Sequence, residues 1–402
     1  MMERVGKYIT NYIKGKTPKV LFPDEEADTM PYLSPDYLRG VATPEFYAKQ
    51  DNKSIVVDNG EVIVLWDGSN AGEILISKKG VLASTMTMLQ FDETQIDKAY
   101  FGYSFQNLEY ILKAKTAGSG IPHADKGVIS KLEFYKPSLP EQTAIAALLS
   151  KVDESIAAVQ RSIAAAERLK KSLMQNLLTG RMKPDGTLRK EDEFYVDEKF
   201  GRVPVGWDVK AIGDKDVCKI NPVYKYKKKD VYDFIPMEAI KENFEGVDYV
   251  EKQVIDNGSY TRFKAGDILF AKITPCSENG KVAYIDNIDS EVGFASTEFI
   301  VFHPTENVDG KYVYLLLSSG NVHRLAISLM EGTTGRQRIP WKIFRNRIFV
   351  PMPDKVEQTI IVDKILAFDK QIKENNNKIA VLERLKKSLM QNLLTGRVRV
   401  LF

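Results

Sequence analysis

The chain has 402 residues, 44% hydrophobic and 28% charged, a balance that suits folded domains and leaves room for two of ordinary size plus connecting helices. It holds no apolar run of about 18 residues, and its start, MMERVGKYITNY, lacks the apolar core of a signal peptide, so a cytoplasmic protein is expected. Cys218 and Cys276 show no metal-ligand spacing, and His123, His303 and His323 are the only histidines, which argues against a zinc site. The net charge is +3, but residues 1–138 carry 16 Lys/Arg against 18 Asp/Glu and residues 206–354 carry 20 against 21. Neither stretch is a basic module, so contact with nucleic acid would have to come from local patches.

In chain order, residues 1–138 read as a globular unit of mixed strand and helix. Ser54–Val57 and Glu61–Trp66 flank Asp58-Asn59-Gly60, a hairpin signal. Residues 139–180 read as one long helix. It opens with the capping signal Ser138-x-x-Glu141, runs free of Gly and Pro from Glu141 to Thr179, and stops at Gly180. The polar stretch within residues 181–206 reads as a linker. Residues 207–353 form a second mixed unit, opened by Pro204-Val205-Gly206-Trp207. Its strand-like runs are Asp267–Ile273, Gly280–Ile285 and Glu298–Phe302, with a turn at Asn279-Gly280. Residues 354–396 repeat the helix, from Asp354-x-x-Glu357 to Gly396.

The two helices are copies. The string ERLKKSLMQNLLTGR stands at Glu167–Arg181 and again at Glu383–Arg397, 216 positions later. Glu141-Gln142-Thr143 aligns without a gap on Glu357-Gln358-Thr359, and Asp153 aligns on Asp369. A repeat this long is architecture. The globular units echo each other only weakly, as Ala71-Gly72-Glu73-Ile74-Leu75 against Ala265-Gly266-Asp267-Ile268-Leu269. Apolar residues recur at spacings of four and three: Ile145, Leu149, Val152, Ile156, Val159, Ile163, Ala166, Leu173 and Leu177, then Ile361, Ile365, Phe368, Ile372, Ile379, Leu382, Leu389 and Leu393. That is a coiled-coil seam of about five heptads. The expected fold is α+β: two mixed globular domains, each followed by a long helix. The helices are expected to pair as an antiparallel coiled coil with pseudo-two-fold symmetry. Asn375 falls on the seam where the first helix has Val159, a place where a buried Asn can fix register.

Catalytic motifs fail on inspection. Asn221-Pro222-Val223-Tyr224 is like the base-holding loop of amino-methyltransferases but lacks its second proline and any Gly-rich cofactor loop. Gly15-Lys16-Thr17 resembles the end of a phosphate-binding loop, yet Thr10 stands where that loop needs glycine. Two loose nuclease-like patterns, Pro184-Asp185 with Asp208-Val209-Lys210 and Pro35-Asp36 with Asp51-Asn52-Lys53, have the spacing of accidents.

Contact patches carry more. Lys225, Lys227, Lys228 and Lys229 interleave with Tyr224 and Tyr226, suited to phosphates and base stacking. The Gly-rich loop with Thr334, Arg336, Gln337 and Arg338 offers the side chains that read guanine and adenine edges. The comparable loop of the first domain holds Ser119 and His123, with Lys14, Lys16, Lys78 and Lys79 elsewhere. These fourteen residues are the candidate DNA contacts; no catalytic or metal-binding residue is expected.

Taken whole, the chain resembles the specificity (S) subunit of type I restriction-modification enzymes. The likeness rests on Gly15-Lys16-Thr17-Pro18, Met30-Pro31-Tyr32-Leu33, Pro204-x-Gly206-Trp207, Gly335 before Ile339-Pro340, the Glu-Gln pairs that open each helix and the Leu-Leu-Thr-Gly-Arg that closes each. The first domain departs from the pattern in lacking an upstream Pro-x-Gly-Trp. The resemblance implies a non-catalytic subunit whose two domains each read half of a split, asymmetric DNA target. Its helices would set the spacing and dock two methyltransferase (M) subunits, with restriction (R) subunits joining them. S-adenosylmethionine, ATP and Mg would belong to those partners, and no cofactor to this chain. The alternative from another class is a coiled-coil scaffold whose globular domains bind peptides; salt-dependent, sequence-selective DNA binding discriminates the two.

Overall fold

The computed structural model describes residues 1–51, 54–115, 122–256, 259–333 and 335–400. The chain divides into two compact units, residues 1–161 with 375–402 and residues 162–374. Each long helix is therefore shared, giving its first part to one unit and its last part to the other.

The long helices span Leu139–Leu178 and Lys355–Leu393. In the first unit Ile145, Ala146 and Leu149 pack in one core with Leu393 and Leu394. In the second unit Ile361, Val362 and Ile365 pack with Leu177 and Leu178. These are the same positions displaced by the repeat, with Ala146 replaced by Val362. Lys386 meets Asp153 at 2.7 Å, and the repeat-related pair is Lys170 with Asp369. In the second unit Lys170 meets Asp369, while Leu177, further along the first helix, shares a core with Ile361, earlier in the second, so the segments run antiparallel as the symmetry of the repeat predicted. Seam residues Ile156, Ile163, Ile372 and Ile379 are half-buried, as is Asn375.

The helix ends behave differently from the simple capping expectation. Asp354 Oδ1 accepts the Glu357 N–H at 2.8 Å, but the carboxylates of Glu141 and Glu357 do not turn back to close a box. Glu141 takes a fork of hydrogen bonds from Arg399 at 2.7 and 2.6 Å, and Glu357 accepts from Arg189 at 2.7 Å and from Trp207 Nε1 at 3.0 Å. The adjacent glutamines hold the globular domain. Gln142 accepts from the Asp97 N–H and donates to Pro137 O; Gln358 accepts from the Asp309 N–H and donates to Pro353 O. Asp97 and Asp309 are themselves the N-caps of domain helices Lys98–Ala114 and Gly310–Ser318. At the far ends Gly180 (φ 69°) and Gly396 (φ 72°) adopt the left-handed conformation. A Cβ at either would lie within 3 Å of Pro204 or of the Tyr135 ring, so glycine is needed twice over.

Both domains have one topology. The first has a sheet ordered Ile9–Lys14, Met86–Phe91, Val62–Leu65, Ile74–Ile76 and a second ordered Tyr47–Lys49, Thr29–Leu33, Gly80–Leu82, Val56–Val57. The other has Cys218–Ile220, Phe299–Pro304, Ile268–Ala271, Val282–Tyr284 and Glu251–Ile255, Asp230–Ile235, Gly293–Ala295, Thr261–Phe263. The lone parallel contact of each second sheet falls between equivalent strands, Tyr32 beside Val81 and Phe234 beside Phe294. Two sequence expectations change here. Val56–Val57 does not form a hairpin with Val62–Leu65; it pairs with Gly80–Leu82 in the other sheet. Ser77 Oγ, which accepts the Glu61 N–H and donates to Asp58 O, ties the Asp58-Asn59-Gly60 turn down as a crossover. The Ala71–Leu75 echo is also not structural, since Ile74–Ile76 corresponds to Val282–Tyr284 and Val62–Leu65 to Ile268–Ala271. The linker is more ordered than its composition suggested, for Phe194–Asp197 and Gly201–Pro204 pair as a hairpin.

Ile145→Asp or Ile361→Asp, each placing an unpaired charge in a fully buried seam position, should cost about 3 kcal/mol or more in chemical denaturation. Unchanged stability in both would mean the helices do not pair. The Arg399 fork holds the Glu141 carboxyl below its usual range, against the opposing effect of burial. A depressed carboxylate contributes stability above its unfolded pKa of about 4.3 and loses it as pH falls through the folded value. The melting-temperature gap between wild type and Glu141→Gln should be full at neutral pH and close on acidification below that value. A gap independent of pH would remove the ion pair from the account.

Candidate nucleic-acid interface

In the second domain the chain leaves strand Cys218–Ile220 through Asn221, at φ 49°. Asn221 extends the strand by other means, its N–H donating to Val301 O at 2.8 Å and its Oδ1 accepting the Val301 N–H at 3.0 Å. That carboxamide oxygen is thus committed to the backbone, which leaves the methyltransferase-like reading of this loop without its acceptor. Asn221 and Lys272 line two adjoining clefts, of about 420 and 270 Å3. Glu331, Arg338 and Trp341 complete the larger; Val223, Tyr260 and Arg262 are among those that complete the smaller.

The tyrosine–lysine run alternates about the surface. Lys225, Lys227, Lys228 and Lys229 are exposed, whereas Tyr224 and Tyr226 turn inward. Tyr224 donates to Asp267 at 2.9 Å, and His303 Nδ1 lies 2.7 Å from the same carboxylate. Burial pushes the Asp267 carboxyl up, opposed by hydrogen bonds from the Lys264 N–H, His303 and Tyr224. Tyr226 packs edge-on against Phe294 at 5.2 Å, with the Arg262 guanidinium 4.6 Å from its centroid. The tyrosines expected to stack on bases therefore brace the loop, and the cations alone face solvent.

Arg336 is exposed at the tip of the Gly-rich loop. Gln337 gives its carbonyl to the Thr274 N–H at 3.1 Å. Arg338 forks onto Glu298, with Nε and Nη2 each 3.0 Å from a carboxylate oxygen. This bond holds Glu298 below the usual carboxylate range, against its partial burial. Thr334 lies outside the described residues.

The first domain builds the same lip with other residues. Ile273 bridges Arg338, and Thr274 N–H and Ile339 N–H bond Gln337 O and Lys272 O. Asp67 bridges His123, and Gly68 N–H and Ala124 N–H bond Pro122 O and Trp66 O. His123 therefore occupies the place of Arg338. Its Nδ1 lies 2.6 Å from Asp67 Oδ1, and Lys14 Nζ lies 3.0 Å from Asp67 Oδ2. Burial raises the Asp67 carboxyl, but His123 and Lys14 outweigh it and leave it lowered. Lys16 is exposed beside Gly15, where a Cβ would sit 2.1 Å from Ala83 O, so only glycine allows the close backbone approach. Lys79 is exposed, while Lys78 is engaged, donating to Tyr37 O at 2.7 Å with its ammonium 4.1 Å from the Tyr37 centroid. Ser119 lies outside the described residues.

The structure thus gathers Lys14 with His123, and Lys272 with Arg338, but does not place Lys78 at the lip. Sequence reasoning missed Asp67, Lys272 and Glu298. Glu298 stands 40 positions from Arg338, and no spacing rule links them. The nuclease-like patterns carry no site: Asp185 Oδ1 caps Thr187 in a turn, and residues 52–53 of the other pattern lie outside the described residues. Among the described residues no cluster of three His, Cys, Asp or Glu side chains is arranged to hold a metal ion.

Residues 7–168 and 204–384 match the family described as the type I restriction modification DNA specificity domain. The chain is 30% identical over 404 residues to the type I restriction enzyme MjaVIII specificity subunit of Methanocaldococcus jannaschii, covering 99% of this chain and 92% of that one. It is also 35% identical over 179 residues to the EcoAI specificity subunit of Escherichia coli, covering 42% of this chain and 29% of that one. Its fold is like that of the S subunit of a type I restriction-modification system from M. genitalium, with a TM-score of 0.60, 13% identity and coverage of 98% and 96%. Two helix-linked copies of one domain and a family match over both halves lead to one conclusion: the chain belongs to the type I restriction-modification DNA specificity family, as a non-catalytic DNA-recognition subunit.

Proposed function

We propose that the chain reads a split, asymmetric DNA target, one half through each globular domain, while its paired helices set the gap and dock two methyltransferase subunits. One observation carries this reading. Sheet order, glutamine latches and Lys–Asp pairs recur in both units, yet the lips differ, Lys14, Asp67 and His123 in one against Lys272, Glu298 and Arg338 in the other. A repeated scaffold with varied lips suits a duplex whose backbone repeats and whose bases vary. Exposed Lys16, Lys79, Lys225, Lys227, Lys228 and Lys229 serve the phosphates.

Docking has its own support. Within the duplicated string, Lys170, Leu177 and their equivalents Lys386 and Leu393 are used in the seam. Arg168, Leu169 and Lys171 are exposed, as are Arg384, Leu385 and Lys387, and packing does not require them to match. Two identical surfaces suit two copies of one partner. Restriction subunits join through that assembly in the cytoplasm. S-adenosylmethionine, ATP and Mg are carried by the partner subunits and none by this chain.

The test is to map methylated adenines after exchanging residues 1–138 for the domain of a relative. One half of the target should change, with the other half and the gap intact; lengthening both helices by matching turns should change the gap alone. Both halves changing together would overturn modular reading, and an assembled complex with no sequence preference would favour the scaffold.

A further inference from the structure

We infer that the ion pairs at the two lips, Arg338 with Glu298 and Lys14 and His123 with Asp67, are base-pair readers, each addressed to one G·C pair. This rests on the half-site reading proposed above. The donors stand at equivalent places: the backbone bridges Ile273–Arg338 and Asp67–His123 align Arg338 with His123, while the acids come from different positions, Glu298, whose carbonyl accepts the Lys272 N–H, and Asp67 on the bridge itself. In both, the donor lies outermost. The side chain of Arg338 is 50% exposed against 27% for Glu298, and that of His123 is 57% exposed against 22% for Asp67. An approaching duplex meets the donor first and the acceptor behind it.

The chemistry fits one base pair. In the major groove guanine shows two acceptors, N7 and O6, and its cytosine shows the N4 donor. The fork with which Arg338 grips Glu298, two bonds at 3.0 Å, is the geometry that also fits O6 and N7. Glu298 can then accept from cytosine N4. Each group trades its partner in the protein for a matching one on the DNA. In the first domain Lys14 and His123 are the donors and Asp67 is the acceptor. An A·T pair gives no such exchange: adenine offers a single acceptor beside a donor, and thymine O4 would meet the carboxylate with no proton between them. The internal pairing also neutralises each cation, so that a stray phosphate gains little from it.

The experiment uses the assembled methyltransferase and duplexes bearing its mapped target, with each guanine replaced in turn by 7-deazaguanine, which lacks the N7 acceptor. For the wild-type protein, one guanine in each half should respond, binding weakening roughly tenfold. Arg338→Ala and Arg338→Lys (charge kept, fork lost) should each erase the response in the half read by the second domain and spare the other. Lys14→Ala combined with His123→Ala should do the converse. Absence of any responding guanine in the wild-type complex overturns the inference without requiring a variant to fold. So does a response that survives Arg338→Ala in one half and Lys14→Ala with His123→Ala in the other, or that disappears from both halves together in one variant. If domain exchange still alters one half while these variants alter nothing, the ion pairs are structural latches and half-site reading stands.

Discussion

Each globular domain is referred to its helix through one buried carboxamide. Gln142 and Gln358 are 0% and 2% exposed. Each accepts the N–H of a domain-helix N-cap and donates to the proline carbonyl that precedes its own helix. Thr143 and Thr359 add a hydroxyl to the same aspartates, 3.0 and 3.1 Å away. An unsatisfied buried amide costs about 1–3 kcal/mol, so the latch has one low-energy setting and the domain has one orientation on its helix. The neighbouring glutamates fasten a third element: Arg399 beyond the second helix in one unit, Arg189 of the linker and Trp207 after it in the other. Three consecutive side chains thus gather helix, domain and incoming backbone. Glu-Gln-Thr is among the few short strings kept in both copies.

That latch explains why the domains were free to diverge. With orientation fixed from below, a domain needs only to keep its strand order and its core volume. Val62–Leu65 and Ile268–Ala271 are buried at every position and occupy the same place in their sheets, yet share no residue in register. The tyrosines under the sheets kept their role: Tyr100 donates to Tyr135 O and Tyr312 to Pro351 O. What changed is the outer loops, where packing imposes little.

The helices were legible in the sequence because their signals are local and repeated. Period, glycine stops and a duplicated string all agree, and even the antiparallel sense follows from symmetry. The globular domains were legible only in part, since strand pairing is set by contacts far apart in sequence. Asp58-Asn59-Gly60 carries the composition of a hairpin turn, but Ser77, from the facing strand region, captures its backbone and turns it into a crossover. Tyr224 and Tyr226 alternate with lysines as a stacking surface would. A period of two places both on one face, and that face is the one over Asp267 and Phe294. Sequence gives the period; the neighbours decide which face is inside. Lys78 shows the same limit, its ammonium drawn to Tyr37 O by a strand pairing that composition does not reveal.

The domains are near-neutral, and their lips pair cations with acids. A reading surface of bare arginines and lysines would bind any phosphate run with steep dependence on salt, and affinity would grow without selectivity. Here Arg338 and Lys14 are already paired, while Lys16 and Lys225 are exposed on loops with no ion pair to an acid among the described residues. Acid is thus placed under the cations of the lip and kept from those of the rim. Each domain is close to zero net charge with sixteen or more basic residues. On the lip reading proposed above, exchange of partners, rather than raw attraction, becomes the step at which a correct base sequence is told from a wrong one.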